Sequence, residues 1–381
     1  MTDLSPSITD LAAQIQAATA LVQDHLQQNS LPPLSLSQDS FPFFPGTGPC
    51  AIDPFPAPPS SILKARSDVI SACETLLQLM ITPADHLIWN LGCSYHASAA
   101  LQYIYHFKIA EAVAVDGETS YEEITAKTGL DEKKLRRVLR MAMTNRYFYE
   151  PKPGYVSHTV GSKLLLNPQI ADTIGYVTEE TFPGAGRIAT TTERFGKSEE
   201  RNASCWNTAH DTDLPMFEYF ETNPKRMTRF LGHMESLGGT EGYSIKHLVS
   251  GFDWNSVSGT VVDVGGSTGH ASFAIAEVAP KLKFVVQDLE NVVVGAKERS
   301  KSREKGDRVD FQVNDFFESQ PVKQAEVYLL RFILHDYPDK YSAKILEHVV
   351  AAMGPESRII IMDGIIPDPG VLPKHEDRKL R

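Results

Sequence analysis

Three glycines fall within five positions at the end of the stretch Thr260-Val-Val-Asp-Val-Gly-Gly-Ser-Thr-Gly269. The apolar run before them (Val261, Val262, Val264) reads as a short buried strand, and the Ala-rich segment Ala271 to Ala279 reads as a helix. Glycine has no Cβ, so a turn built from it lets the backbone pass close to a ligand. Strand, glycine turn and helix in that order form the opening βα unit of a doubly wound nucleotide-binding sheet. An adenosine-containing cofactor is the ligand such a unit leads us to expect.

Downstream of Thr260 the pattern alternates. Strands are expected at Val261 to Gly265, Phe284 to Asp288, Val309 to Asn314, Val327 to Ile333 and Ile359 to Asp363, with helices between most of them. That is the βαβ signature of a mostly parallel sheet, whose carboxyl-end crevice is where ligands bind.

The chain upstream reads differently. Residues 8 to 27 fit one amphipathic helix, with Ile8, Leu11, Ile15, Ala18 and Leu21 on its apolar stripe. Residues 31 to 60 are rich in Pro and Ser, which suits an extended arm, and Phe41, Phe43, Phe44 and Phe55 give that arm aromatic groups able to dock on a partner surface. Helical periodicity resumes at Ser61 to Ile81 and at Tyr95 to Val115. Ser120 with Glu123 forms a capping box, Gly129 ends that helix, and Leu135, Val138, Leu139 and Ala142 mark the buried stripe of the next. Hairpin signals follow between Tyr147 and Ser157, so helix, turn, helix and hairpin spell a winged helix-turn-helix.

The second of those helices carries Lys133, Lys134, Arg136, Arg137 and Arg140, which admits a DNA-binding reading beside that of a solvated face. The net charge of −11 favours the solvated face and argues against nucleic acid or an anionic membrane as partner. No apolar run approaches the ~20 residues needed to span a bilayer. Cys50, Cys73, Cys93 and Cys205 are scattered, with no C-x-x-C pair and no Cys/His cluster, so neither a metal site nor a disulfide scaffold is expected. The N-terminus lacks a signal peptide's basic and apolar regions, which makes a reducing, cytoplasmic setting the simplest reading. Residues 170 to 250 look helical, and the stripe Met216, Phe217, Phe220, Met227, Phe230, Met234 reads either as core or as the wall of an adaptable apolar pocket.

Several residues carry chemistry. Asp288 ends the second strand, 23 residues after Gly265, where a carboxylate accepts hydrogen bonds from ribose hydroxyls; a helix N-cap is the plainer reading. Asp315 and Phe316 follow the third strand, placed to take an adenine amino group and to pack on its ring, or simply to make a turn. His335 follows the fourth strand and faces the expected crevice. An imidazole with an ordinary pKa of ~6.5 serves as a base near neutrality. Asp336 suits a cap for the next helix, and Asp363, ending the fifth strand, is placed to orient the imidazole.

Together these segments resemble the class I S-adenosylmethionine-dependent O-methyltransferases of the caffeate/flavonoid type and their fungal secondary-metabolite relatives, over roughly residues 61 to 381. Asp263-x-Gly265-Gly266-x-x-Gly269 is similar to the family's glycine motif, Gln287-Asp288-Leu289 to its ribose-binding turn and Asn314-Asp315-Phe316-Phe317 to its adenine motif. Arg331 falls where the family places a Lys or Arg near the cofactor, and Leu334-His335-Asp336 matches its catalytic-base motif.

The resemblance implies an α/β fold: a Rossmann-like methyltransferase sheet preceded by a mostly helical winged-helix dimerisation domain. It implies S-adenosyl-L-methionine as cofactor, a homodimer, and transfer of a methyl group to a hydroxyl of a small aromatic metabolite. His335 would be the base, with Asp363 or Asp336 orienting it. The expected divisions are an N-terminal helix and arm (1–60), the winged-helix domain (61–170), a helical connector and substrate-pocket region (171–250) and the cofactor domain (251–381). Two rival readings are a methyltransferase-like protein catalysing a non-methylating, pericyclic step, and a winged-helix DNA-binding regulator.

The chain departs from the family in two places. Asp363 stands where the family usually has a glutamate, and the chain ends at Arg381, before two further strands, a second carboxylate and part of the pocket. A truncated gene model or fragment is therefore expected, with an exposed sheet edge as its consequence.

Overall fold

The computed structural model describes residues 6–48, 53–238, 243–300 and 306–380; Cys50 lies outside them. The chain divides into two compact units. One comprises Met1–Pro183, Gly232–Glu241 and Ile366–Arg381, the other Gly184–Leu231 and Gly242–Ile365. Residues 171–250 thus contribute to both.

In the first unit, α1 (Ile8–Gln28) starts at a capping box made by Ser7 and Asp10. Its buried stripe is Leu11, Ala18, Val22 and Leu26, while Ile8 and Leu21 face solvent. The expected stripe was therefore one residue out at Leu21, because the 3.6-residue period carries the buried face from Ala18 to Val22. This face packs with Ala65 of α2 (Ser60–Ile81) and with Phe44. The Pro-rich arm has neither helix nor strand among its described residues, yet Phe44 is buried in this core, with the Arg66 guanidinium 5.0 Å from its ring centre.

The next helix, α3 (Tyr95–His106), is shorter than its periodicity suggests. Lys108 adopts a left-handed φ of +52°, and the chain restarts as a separate turn at Ile109–Ala112. No Gly or Pro marks that break in the sequence. Farther on, α4 (Tyr121–Thr128) has the Ser120/Glu123 capping box, and Gly129, at φ +71°, closes it. Then α5 (Glu132–Thr144) buries Leu135, Leu139 and Ala142, with Val138 half-buried beside them. The wing is a ribbon in which Thr119–Ser120 pairs antiparallel with Tyr155–Val156, extended by a bridge between Tyr149 and Ser157.

The second unit holds the sheet. Its strands are β1 (Gly259–Val264), β2 (Leu282–Asp288), β3 (Val309–Val313), β4 (Val327–Arg331) and β5 (Arg358–Met362), all parallel, in the order β3-β2-β1-β4-β5. Alternate side chains feed two cores. Val261, Val327 and Leu329 enter one; Val262, Val264, Tyr328 and Leu330 enter the other, with Ile345 and Val349 of α6 (Asp339–Val350). A parallel sheet covered on both faces explains why these strands read as nearly continuous apolar runs.

The register matters for the site. Val264 lies opposite Gln287 and Leu330, Asp288 opposite Val313, and Arg331 opposite Met362. All five carboxyl ends therefore finish level, and the residues just beyond them share one rim. Among the described residues, no helix is long and apolar enough to cross a membrane, and no group of three or more His, Cys, Asp or Glu could hold a metal. Cys73, Cys93 and Cys205 are free thiols.

Candidate active site

The rim is built around the glycine turn. Gly265, Ser267 and Gly269 all have positive φ (+67°, +52°, +74°), so β1 reverses into the helix His270–Val278 through three left-handed residues. Two of the glycines are also crowded by neighbouring side chains. A Cβ on Gly265 would sit 2.6 Å from Ile333 Cδ1 and 3.4 Å from Phe316 Cε1, and one on Gly266 would lie 2.5 Å from Asp263 Cγ. The turn thus gains its tightness from packing as well as from access.

Two consecutive residues of β2 hold this turn. The Gly266 N–H donates to the Gln287 carbonyl at 3.0 Å. Asp288 accepts from Ser267 N–H at 2.9 Å and from Leu289 N–H at 2.8 Å. Burial pushes the Asp288 carboxyl up to about 6, against the pull of those two N–H donors, and the nearby Asp263 and Glu221 charges add to the rise. Its bond to Ser267 across the rim goes beyond a plain helix cap.

The Asn314–Phe317 segment follows β3. Asn314 N–H donates to Asp288 O at 3.0 Å, extending the strand pairing by one residue. Asp315 is exposed, and its Oδ1 accepts from Phe317 N–H at 2.9 Å, so the turn reading holds for one oxygen while Oδ2 stays available. Phe316 leans toward Gly265 and meets Tyr337 edge-on at 5.7 Å. The Asn314 Nδ2 amide is buried with no protein partner. Such an orphan donor on a ligand rim is a site signal, and it gives Asn314 a role that its place in the quoted motif did not by itself assign.

Arg331 ends β4. Its guanidinium donates to the Tyr243 carbonyl at 2.9 Å and lies 4.4 Å from the Phe332 ring centre, while its Nε is buried without a partner. Burial lowers its pKa and the Asp263 charge opposes that. Asp263 itself is buried in β1, bonded by Ser272 Oγ at 2.7 Å, and burial raises its pKa.

Just past Arg331 the strand breaks. Phe332 takes a left-handed φ of +55°, its N–H still donating to Met362 O at 2.9 Å, and a single 3-10 turn, Leu334–Asp336, follows. A non-glycine residue held at such φ costs on the order of 1–3 kcal/mol, a strain that gathers at functional sites. The result is to swing His335 onto the rim, its ring stacked on Phe332 (5.7 Å, 14°). His335 Nδ1 lies 2.8 Å from Asp363 Oδ1, close but not aligned as a hydrogen bond, and Nε2 lies 3.5 Å from Asp336 Oδ1.

The imidazole side chain is 44% exposed and Asp363 18%. Burial raises the Asp363 pKa, while the His335 charge and the N–H groups of His335 and Leu334 lower it. Burial also pushes the Asp336 carboxyl up to about 6, with His335 opposing and Asp363 adding to the rise. Asp336 does not cap the following helix as the sequence suggested. Pro338 occupies that position without a side-chain bond, because Pro338 already sets the helix-entry φ and leaves Asp336 two residues too early. The freed carboxylate faces the imidazole instead.

All ten residues singled out from the sequence thus lie at or beside one rim of the second unit. Residues 89–168 match the O-methyltransferase dimerisation domain and residues 194–378 the O-methyltransferase domain. The chain is 36% identical to the O-methyltransferase aurJ of Gibberella zeae over 99% of its own length and 87% of that protein. It belongs to the O-methyltransferase family.

The fold agrees. OxaC, also solved with SAH and oxaline, superposes with a TM-score of 0.75 at 22% identity, over 98% of this chain and 87% of that one. LepI, solved in complex with SAM, superposes at 0.66 and 21% identity, over 94% and 85%. This O-methyltransferase is of the fungal secondary-metabolite type and uses S-adenosylmethionine. The rim's chemistry suits that cofactor: a half-buried carboxylate at Asp288, an unpartnered buried amide donor at Asn314 and an aromatic face at Phe316.

Proposed function

We propose that this O-methyltransferase methylates a hydroxyl, most simply a phenol, of a small aromatic metabolite, with His335 as general base. The observation that carries this reading is the half-exposed imidazole set between Asp363 and Asp336 on the rim that the glycine turn also lines. A phenol has a pKa of ~10, so removing its proton during attack is the step a protein base helps most near neutrality.

When bound, S-adenosylmethionine supplies an electrophilic methyl carbon on a sulfonium. Gly265, Gly266 and Gly269 would shape the turn that holds it, Asp288 would accept from its ribose hydroxyls, Asp315 and Phe316 would take its adenine, and Arg331 would support the turn electrostatically through Asp263. The remaining work is alignment of the acceptor oxygen and uptake of its proton. The Asp363 charge, 2.8 Å from His335 Nδ1, favours the tautomer with the proton on that nitrogen, so Nε2 is left to accept the acceptor's proton, and the two carboxylates stabilise the imidazolium formed. The half-buried Phe217, Met227 and Phe230, beside the buried Phe220, support an apolar acceptor pocket in the region expected to supply one, 171–250.

A homodimer is part of the same reading. The match to a dimerisation domain supports it, as do Leu87, Ile88, Trp89 and Leu91, each more than half exposed on one short segment. Residues 61–170 would form that domain and, of the expected 251–381, the stretch up to Ile365 that lies in the second unit would form the cofactor domain.

Product mass tests the proposal. Purified protein with labelled cofactor and a panel of phenols is expected to give products heavier by one methylene unit. An isomer of the acceptor carrying no label would favour the pericyclic reading instead.

A further inference from the structure

We propose that Gln287 and Gln320 form a buried amide clamp that pre-positions the adenine-facing segment, making them positioning residues for the cofactor. The proposal rests on the assignment of Asp315 and Phe316 to the adenine. Gln287 is 0% exposed and Gln320 2%. Their amides bond reciprocally: Gln287 Nε2 donates to Gln320 Oε1 at 2.8 Å, and Gln320 Nε2 to Gln287 Oε1 at 2.7 Å. Gln287 Nε2 also donates to Gln312 Oε1 at 2.8 Å, and Val322 N–H donates to Gln320 Oε1 at 3.1 Å.

Burying two primary amides is unfavourable unless their groups are paired. Here both donors and the acceptor of Gln287 are used within the protein, which leaves none for a ligand. A pair of leucines would fill such space without that desolvation cost. What the amides add is direction, because a reciprocal pair fixes the relative position of two backbones in a way that dispersion does not.

The two backbones are the ones that matter. Residues 314–323, between β3 and β4, form neither helix nor strand. The segment is tied to β2 at one end by Asn314 N–H on the Asp288 carbonyl, and at the other by Gln320 on the Gln287 side chain. Asp315 and Phe316 lie between these ties. Gln287 meanwhile holds the glycine turn through its carbonyl, 3.0 Å from Gly266 N. One residue therefore locks the turn and the adenine segment to the same strand, in the protein without cofactor. Binding then costs less ordering of the loop.

The test uses the full chain, with S-adenosylhomocysteine as the calorimetric probe. Gln320→Leu leaves the buried Gln287 Oε1 and one of its two N–H groups without partners and is expected to lower both Tm and affinity. The double variant Gln287→Leu/Gln320→Leu removes both buried amides and leaves only the half-buried Gln312 Oε1 and Val322 N–H to be paired by water, so part of the Tm should return, whereas affinity should stay about tenfold below wild type. Its KM for the cofactor should rise with kcat at saturation within about twofold of wild type. A double variant that binds as tightly as wild type overturns the proposal.

Hydrogen exchange provides an arm that needs neither a stable variant nor a binding-competent one. In the cofactor-free wild type, the amides of Phe317, Glu318 and Val322, which donate within this segment, are expected to be protected. Exchange there as fast as in an unstructured peptide would overturn the clamp. Failure of the wild type to bind the probe would instead count against the cofactor assignment, with exchange still deciding the clamp.

Discussion

The basic face of α5 and the rim at the strands' carboxyl ends both concentrate charge, and they treat it in opposite ways. On α5 the charges answer one another locally. Arg136 reaches Glu132 at 2.7 Å and covers the Tyr121 ring at 4.3 Å, and Arg140 makes a two-pronged bond to Glu150 at 3.0 and 3.2 Å. Two of the five cations that admitted a DNA-binding reading are thereby committed to partners within the protein.

On the rim, burial raises the carboxyls of Asp263, Asp288, Asp336 and Asp363, Arg331 Nε and Asn314 Nδ2 lack partners, and Phe332 and Ser267 sit at left-handed φ. The helix obeys the rules of a folding element. The rim breaks several at once, which is what a site prepared for a ligand and a proton transfer looks like.

Substitutions sharpen that contrast, and the largest effect is expected at the glycine turn. Gly265→Val puts a β-branched residue at φ +67° with its Cβ 2.6 Å from Ile333, so cofactor binding should fall below calorimetric detection. Retained binding would mean that the turn is looser than its packing indicates.

Asp288→Ala comes next, with cofactor affinity weaker by roughly 10- to 100-fold through loss of a charge-assisted acceptor. Its pH behaviour is equally telling. Burial raises this carboxyl from its ordinary 3.8 to about 6, so its protonation favours folding of the free protein. That contribution is full below about 4 and lost as pH rises through about 6. Ribose hydroxyls need the ionised form, so wild-type cofactor affinity should drop as pH falls through about 6. In Asp288→Asn that dependence should flatten. A wild-type affinity independent of pH from 5 to 7, as measured by calorimetry, would remove Asp288 from the ribose.

Asp363→Asn should cost less: about tenfold in kcat, with cofactor affinity unchanged, because the imidazole keeps Asp336. Equal losses in both quantities would point to a folding defect at β5 instead. The smallest effect belongs to α5. Arg140→Gln should leave methyl transfer and cofactor affinity untouched, with only a slight change in Tm, since exposed ion pairs contribute little. A large loss of activity there would undo the distinction between the two regions.

Much of this was legible in the sequence, for identifiable reasons. The five strands read correctly to within one or two residues because a parallel sheet buried on both faces leaves unbroken apolar runs. The glycines, Asp288 and His335 stood out because polar and flexible residues have no packing reason to follow such runs. What stayed hidden depends on contacts distant in the chain. The break at Lys108 carries no Gly or Pro, and the turn of Asp336 toward His335 follows from Phe332 leaving the strand at left-handed φ. Gln287 and Gln320, 33 residues apart, look like ordinary polar residues until the fold brings their amides together.

The account stands or falls on the imidazole. Single-turnover methyl transfer at saturating cofactor and acceptor, compared between the wild type and His335→Ala, measures its role directly. The prediction is a rate about 10²- to 10⁴-fold lower in the variant, with calorimetric cofactor affinity unchanged. A variant that transfers methyl within twofold of the wild-type rate would contradict it.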